Sequence, residues 1–425
     1  MRPGPGQDPE FVAADQSARL RQAMVDLVYE GGYPNVTLAK LLSKAHVAKR
    51  DFYRLFSGKE DLFLSVYDVA ATDAIKFVEA ATAGPGTRAE IVGRGLRAFL
   101  DAISLRPADA YLSLLETISV GPAATDRMRR TEDEFVGLVI RHLAATEDPV
   151  VLRPEVARGL VGGAARLARE RLEARTLPLP ADAEEMAHWV MAVSDPAVAE
   201  LATAGFPGAV KANRSRLTGD LRLPMSDERA FLIRAVISLA ATEGYEGLSP
   251  RTIAAAAGVP KRTFDVEFGS VEDCVARALE VGAVAVVADV RSAFREAPDW
   301  AHGICQAVEE LCGFFSSEPG LARLAFVELF VPGRAVTRQG SAILSALARL
   351  LREGMPKALQ TGPAAAEASI GAIWALLRKE VAAGRIARIP RLAPTISWLI
   401  LSPAVGGPEA IEVLRDAQVP RGAGR

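Results

Sequence analysis

Basic side chains are concentrated in one short stretch of the sequence. Between residues 40 and 59, six lysines and arginines stand against a single aspartate, which gives this window a net charge of +5. The six are Lys40, Lys44, Lys49, Arg50, Arg54 and Lys59. Cations at this density can bind phosphates, and such contacts supply most of the sequence-independent affinity for a nucleic-acid backbone. A basic cluster can equally be a solvated face, so its structural setting has to decide between the two.

Residue patterns for catalysis or metal binding are missing from the sequence. The four histidines are His46, His142, His188 and His302. They are scattered along the chain, and although Cys305 follows His302 by three residues, no second Cys/His pair has zinc-ligand spacing. Phosphate-loop and dinucleotide fingerprints and a nucleophile elbow are also absent. The sequence therefore predicts that the protein is not an enzyme and needs no metal or cofactor.

The composition is that of an ordinary globular protein. Of 425 residues, 50% are apolar and 24% are charged, and the net charge is −2. This balance argues against non-specific binding of polyanions over the whole protein surface, but it allows a local basic patch. Three cysteines without a CxxC pair are typical of a reducing compartment. With no secretory signal and no apolar run of roughly 18–20 residues, we expect a cytoplasmic protein without a membrane partner.

The second half of the chain repeats the first at a constant offset. Residues 19–61 align without a gap on residues 231–273. Near the end of each half, a tryptophan (Trp189 or Trp398) is followed a few residues later by Pro-Ala-Val. We interpret the protein as a duplicated unit. The basic run at 205–226, which glycines and prolines punctuate, is the predicted linker.

Helix signals in the first half predict two short helices joined by a tight turn. An apolar stripe over residues 17–31 ends at a Gly-Gly pair. Thr37 is the expected N-cap of a short helix, and a second short helix is expected over 49–56. Two such helices, braced by neighbours, make a helix-turn-helix. The rest of each half reads as Ala- and Leu-rich helices without period-two alternation, so the predicted fold is all-α.

The expected turn and caps have counterparts in the second half. Ser249 is the expected cap there, with Pro250 at the first helical position. Gly258 stands where the first half has His46, which predicts a left-handed backbone at both positions. Ser57 is the expected cap of a longer helix that begins near Lys59.

These motifs together resemble the DNA-binding domain of the TetR/AcrR family. The pattern is a helix, Gly-Tyr, a short helix ending in Ala-x-Val, Lys-x-x-Phe-Tyr-x-x-Phe and then Lys-Glu-Asp-Leu, and it covers Arg19 to Tyr67. The stretch SIGAIWALLRKEVAAGRIARIPRLAPTISWLILSPAVGG in the second half is similar to the end of that family's ligand-sensing and dimerisation domain. The resemblance implies two tandem units, each a helix-turn-helix domain followed by a helical regulatory domain.

The resemblance also implies which side chains meet DNA. Tyr53 and Lys59 would contact phosphates, and Thr37 would add a contact at its helix start. The best candidates for groove or backbone contacts on the reading helix are Lys49, Arg50 and Arg54. The second half keeps Lys261 and Arg262, but its window 252–271 has a net charge of zero, with Asp265 in the place of Tyr53. We therefore expect a degenerate second helix-turn-helix, while Phe52 and Phe56 belong to the core.

The predicted domains follow from these motifs. They are a first helix-turn-helix at 15–67, its regulatory domain at 68–204, the linker at 205–226, a second helix-turn-helix at 227–279 and its regulatory domain at 280–415. Aromatic candidates for a ligand cavity are Phe99, Tyr111, Phe135, Phe314, Phe315, Phe326 and Phe330. Small residues at 159–164 and 368–375 would let two helices approach closely, which favours an internal pseudo-dimer of the two halves.

The expected function is sequence-specific DNA binding by a ligand-responsive repressor. Its partners would be a double-stranded operator and a small-molecule inducer. A monomeric pseudo-dimer and a homodimer both remain open. The alternative is a helical ligand- or protein-binding module in which DNA binding is partly or wholly lost.

Overall fold

Every regular element in the described part of the chain is a helix. The computed structural model describes residues 9–178, 180–203, 227–328, 355–356 and 362–417. The α-helices of the first half are α1 (Pro9–Gly31), α2 (Leu38–Ala45), α3 (Lys49–Leu55), α4 (Lys59–Thr82), α5 (Arg88–Leu105), α6 (Pro107–Tyr111), α7 (Pro122–Ala144), α8 (Pro154–Glu173), α9 (Pro180–Val193) and α10 (Glu200–Thr203). The all-α prediction is confirmed, and the predicted linker at 205–226 lies outside the described residues.

The second half carries a similar series of helices. They are α11 (Asp227–Thr242), α12 (Pro250–Ala257), α13 (Lys261–Glu267), α14 (Val271–Arg295), α15 (Trp300–Ser317), α16 (Pro319–Arg323), α17 (Pro363–Ala382), α18 (Ala393–Val405) and α19 (Gly407–Asp416). The bounds of α12, α13, α15 and α16 differ from those of α2, α3, α5 and α6 by the same offset that aligns residue 19 with residue 231. A π-helical turn follows α6 at Leu112–Glu116 and α16 at Leu324–Glu328. The internal repeat of the sequence therefore recurs in the order and bounds of these helices.

The chain forms two compact units. One comprises Met1–Pro149 and Ala165–Ala187, and the other Val150–Ala164 and His188–Arg425. The division passes through α8 and α9, so a unit is not a continuous stretch of sequence. Each unit contains one of the two helix-turn-helix segments.

In the first unit, α1 to α4 enclose a common apolar core. Leu20, Leu41, Phe52 and Phe63 are all fully buried in it. The helix α1 begins at Pro9, earlier than the predicted residue 17. Phe52 in α3 and Phe56, the residue that follows the helix, are both buried, as predicted.

Local capping signals fix the turn of the helix-turn-helix. The Thr37 hydroxyl accepts a hydrogen bond from the Lys40 amide at 3.3 Å, and Ser249 makes the equivalent cap in the second unit. His46 adopts the left-handed conformation, with φ 52° and ψ 44°, at the position where Gly258 has φ 70°. Both expectations are confirmed. The predicted Ser57 cap is wrong: α4 has Gly58 as its N-cap, and the Ser57 hydroxyl donates to Asp61 instead.

A close helix crossing lies inside the second unit. Residues 154–164 of α8 pack on α17, where a Cβ atom added at Gly162 would stand 2.4 Å from the Ala375 Cβ and 2.9 Å from the Gly371 carbonyl oxygen. At Gly163 an added Cβ would meet the Ala368 carbonyl oxygen at 2.8 Å. Only glycine permits such an approach. The small residues predicted to bring two helices together therefore do meet.

Two tryptophans anchor the same region of the second unit. The buried Trp189 indole donates to the Ser369 hydroxyl at 3.1 Å, and the buried Trp398 indole donates to the Val193 carbonyl at 2.9 Å. Each of these Trp residues thus contacts an element near the end of the other half of the sequence. Their buried N–H groups are satisfied, as buried donors require.

Candidate nucleic-acid interface

The outer side of α3 presents polar and basic side chains to solvent. Lys49, Arg50, Tyr53 and Arg54 are all exposed, and the Tyr53 side chain keeps 53% of its accessible area. The Tyr53 ring packs edge-on against Phe52 with 5.3 Å between centroids. The hydrophobic underside of α3 is therefore locked in the core while its outer side is free to meet a ligand.

Lys49 and Arg50 differ from the other cations of this window. Within the described residues, neither side chain has a hydrogen-bond or ion-pair partner. Arg54 lies 3.5 Å from Asp51, one turn back on the same helix. Two uncompensated cations at the start of α3 have the chemistry that a phosphate contact requires.

Part of the charge counted from the sequence is neutralised by the fold. The Lys44 ammonium lies 2.6 Å from Glu30 and 3.7 Å from Asp26, both on α1. The hydrogen bond from Lys44 to Glu30 raises the pKa of Lys44, although burial opposes the shift. Lys44 therefore joins α2 to α1, and the window offers less positive charge to a ligand than +5 suggests.

Lys59 is half-buried against the turn that follows α1. Its ammonium lies 4.0 Å from the centre of the Tyr33 ring and donates to the carbonyl oxygens of Val36 and Tyr33 at 3.1 and 3.4 Å. Burial lowers the pKa of Lys59. An ammonium group has three N–H donors, so one remains for a phosphate. Thr37 likewise accepts with its oxygen, which leaves its O–H group able to donate.

On α13 of the second unit, the positions equivalent to those of α3 have different side-chain contacts. The Lys261 ammonium makes contacts of 2.9 and 2.7 Å with both carboxylate oxygens of Asp265, one turn along α13. Glu267 lies 3.6 Å from Arg229. Arg262 is exposed. Because Asp265 occupies the place of Tyr53, α13 exposes an ion pair where α3 exposes a free lysine and a tyrosine hydroxyl.

Long-range contacts join other elements of the first unit to the end of α1 and to the turn that follows it. The Glu116 carboxylate, in the π-helical turn after α6, accepts the Tyr33 amide at 2.8 Å. The Arg175 guanidinium, just after α8, lies 4.2 Å from the ring centres of both Tyr29 and Tyr111 and donates to the Tyr29 carbonyl at 2.9 Å. Sequence reasoning did not identify these contacts, because they join residues up to 146 positions apart.

Arg175 occupies a conformation that rarely suits a side chain. Its φ is 55°, and in the second half the turn after α17 has Gly384 with φ 67°. A non-glycine residue in this region costs about 1–2 kcal/mol. Arg175 thus adopts a strained backbone conformation while its guanidinium contacts Tyr29 and Tyr111.

The predicted ligand-cavity aromatics are divided between the two units. Phe315 and Phe326 line an apolar cavity in the second unit, and their rings lie 4.8 Å apart. Phe314 is buried beside Phe315. Phe330 lies outside the described residues.

The other candidate aromatics lie in the first unit. Phe99 and Phe135 pack edge-on with 6.3 Å between centroids, beside a small apolar cluster of Val78, Ala98 and Leu138. Tyr111 contacts Arg175 as described above. These three side chains therefore take part in packing within the first unit.

Among the described residues, no group of His, Cys, Asp and Glu side chains is arranged to hold a metal ion. In the same residues, no helix combines the length and apolar character that a bilayer span requires.

Comparison with known proteins identifies the first helix-turn-helix. Residues 20–66 match the family described as bacterial regulatory proteins, tetR family. The match covers α2 and α3 and the parts of α1 and α4 that brace them. This match over residues 20–66 supports a DNA-binding transcriptional regulator.

A solved structure, the fatty acid degradation regulator FadR from Bacillus halodurans, is 21% identical over 42% of this chain and 97% of its own, with a TM-score of 0.38. Comparison with curated proteins gives no match.

Proposed function

We propose that the protein is a ligand-responsive transcriptional repressor that binds operator DNA mainly through α3. The observation that carries this proposal is the pair of unpartnered cations, Lys49 and Arg50, beside the exposed Tyr53 on a helix whose other face is fixed in the core. In a helix-turn-helix, the second helix enters the major groove. Cations and a hydroxyl at its start can reach phosphates and base edges there.

We further propose that the two halves of the sequence are TetR-type repeats fused in tandem and that they form an internal pseudo-dimer. The matching helix bounds, shifted by the constant offset of the sequence repeat, support the duplication. The glycine-mediated contact of α8 with α17 supports the pseudo-dimer, since these helices are counterparts in the two halves. A native mass of one chain is expected. A native mass of two chains would instead indicate a homodimer, in which the α3 helices of separate molecules are paired.

DNA selection with the full-length protein tests the proposed function. Genomic fragments retained by the protein are sequenced, and the selected site is footprinted. The Lys49→Ala/Arg50→Ala/Tyr53→Ala variant should lose binding to this site, while Lys261→Ala/Arg262→Ala serves as the matched control on α13 and should retain it. Full affinity of the triple variant would refute the assignment to α3.

The alternative is a helical ligand- or protein-binding module that no longer binds DNA. The Lys261–Asp265 ion pair favours this alternative for the second unit, because it removes a free cation from α13. Failure of the wild-type protein to retain any fragment at low salt would favour it for the whole chain.

A further inference from the structure

The second unit contains an apolar cavity. It has a volume of about 230 Å³ and lies among α14, α15, α16, α17 and α18, with Val286, Ile304, Phe326 and Leu377 among its lining residues. Sites for drug-sized ligands are commonly about 300–1,000 Å³. The cavity therefore suits a small molecule with a largely apolar body.

Three lining residues, Arg291, Trp300 and Trp374, carry polar side-chain groups, and all three are hydrogen-bond donors. The Trp374 ring packs against the Arg378 guanidinium, which lies 4.9 Å from its centre. The Trp300 side chain is 8% exposed, and its indole N–H is buried without a hydrogen-bond partner in the described part of the chain. Arg291 lines the cavity from α14 and reaches solvent, and its guanidinium also has no partner among the described residues. Neither group can accept a hydrogen bond. A buried donor without a partner costs free energy until an acceptor arrives.

The corresponding positions of the first unit have a different character. In the register of the sequence repeat, Trp300 corresponds to Arg88, Leu321 to Asp109 and Arg291 to Glu79. Arg88 lies 3.7 Å from Asp148, and Asp109 lies 3.0 Å from Arg106. The first unit thus has a charged residue at all three positions, and the residue at the Arg291 position is acidic. The second unit has two largely apolar side chains and one cation at the same positions. The apolar lining and the single cation are therefore specific to the second unit.

We propose that this cavity binds a small apolar molecule carrying one anionic group, which Arg291 and Trp300 hold. The apolar body fills the space between the helices, and the anion accepts hydrogen bonds from the guanidinium and the indole N–H. The second unit, whose α13 carries the Lys261–Asp265 ion pair, is then the one that senses a ligand. Only this regulatory consequence rests on the proposed function, since binding itself does not require DNA.

Three probes of one chain length test the chemistry of the ligand. Decanoate, decan-1-ol and decylamine are titrated into the full-length protein by calorimetry at pH 7, where decanoate is an anion and decylamine a cation. Decanoate should bind about ten-fold more tightly than decan-1-ol, a difference of about 1.4 kcal/mol. Decylamine should bind more weakly than either.

Variants assign the anion contact to its residues. Arg291→Gln should remove the preference for decanoate over decan-1-ol. Arg295→Gln is the matched control, because Arg295 is exposed on the same helix and does not line the cavity. Trp300→Phe should weaken decanoate binding, since it removes a donor that has no partner in the ligand-free protein.

The outcomes separate this proposal from the proposed function. Equal binding of the three probes, no binding of any probe, or unchanged decanoate binding by Arg291→Gln would overturn the proposed ligand class. The proposed function fails separately if the ligand-free wild-type protein does not bind DNA, whatever the calorimetry shows.

Discussion

Removal of the two unpartnered cations of α3 should change the salt dependence of DNA binding by a defined amount. Each phosphate contact contributes about 0.9 to the slope of log K against log salt concentration. If Lys49 and Arg50 each contact one phosphate, then Lys49→Ala/Arg50→Ala lowers the magnitude of the slope by about 1.8. At about 0.1 M salt this corresponds to about 60-fold weaker binding, or about 2.4 kcal/mol.

The equivalent variant of α13 provides the control. Lys261 already has its ammonium 2.7 Å from Asp265, so Lys261→Ala/Arg262→Ala removes at most one free cation. Its slope should change by less than about 0.9. Fluorescence anisotropy with the selected operator, between about 50 and 200 mM salt, measures both slopes. Equal changes in the two variants would refute the argument that the two reading helices differ.

Other parts of the chain give two predictions of stability and one of thiol reactivity. In urea denaturation, Gly162→Ala should destabilise the protein by about 1–3 kcal/mol through overpacking. In the control Gly93→Ala, the added Cβ meets only the tip of Arg97 at 3.5 Å, so this variant should be more stable by about 0.5–1 kcal/mol. Equal effects of the two substitutions would exclude a tight crossing. Arg175→Gly should be about 1 kcal/mol more stable than Arg175→Ala, because glycine relieves the left-handed strain that alanine keeps; equal stability of the two variants would contradict this. Burial raises the pKa of the Cys274 and Cys305 thiols to about 12 and raises that of Cys312 as well. A thiol reagent at pH 8 should therefore react with none of the three until denaturant is added. Rapid reaction of the native protein would show that a cysteine is accessible.

Much of the helix-turn-helix could be predicted from the sequence, because its signals act over a few residues. The Thr37 cap and the left-handed His46 both depend on local backbone chemistry, and both are present. The Ser57 prediction failed because two neighbouring residues could start α4. In the second half, Ser270 caps the equivalent helix from the position of Gly58, and Ser57 corresponds to Gly269.

The Lys261–Asp265 contact was missed, although the sequence carries its signal. Oppositely charged residues four positions apart on a helix are neighbours on its surface. A count of net charge treats both residues as independent, which hides the fact that they neutralise each other. The pairing sharpens the contrast with Lys49, whose counterpart to Asp265 is Tyr53.

By itself, the sequence determined the helical class, the duplicated pattern and the residues that α3 exposes, since periodicity and caps specify a helix and its faces locally. Only the tertiary structure decided which of those charges remain free. Glu30 reaches Lys44 across 14 residues, and Tyr29 meets Arg175 across 146. The cavity and its unpartnered donors were likewise decided by tertiary packing, because a cavity depends on how several helices pack and no single segment specifies it.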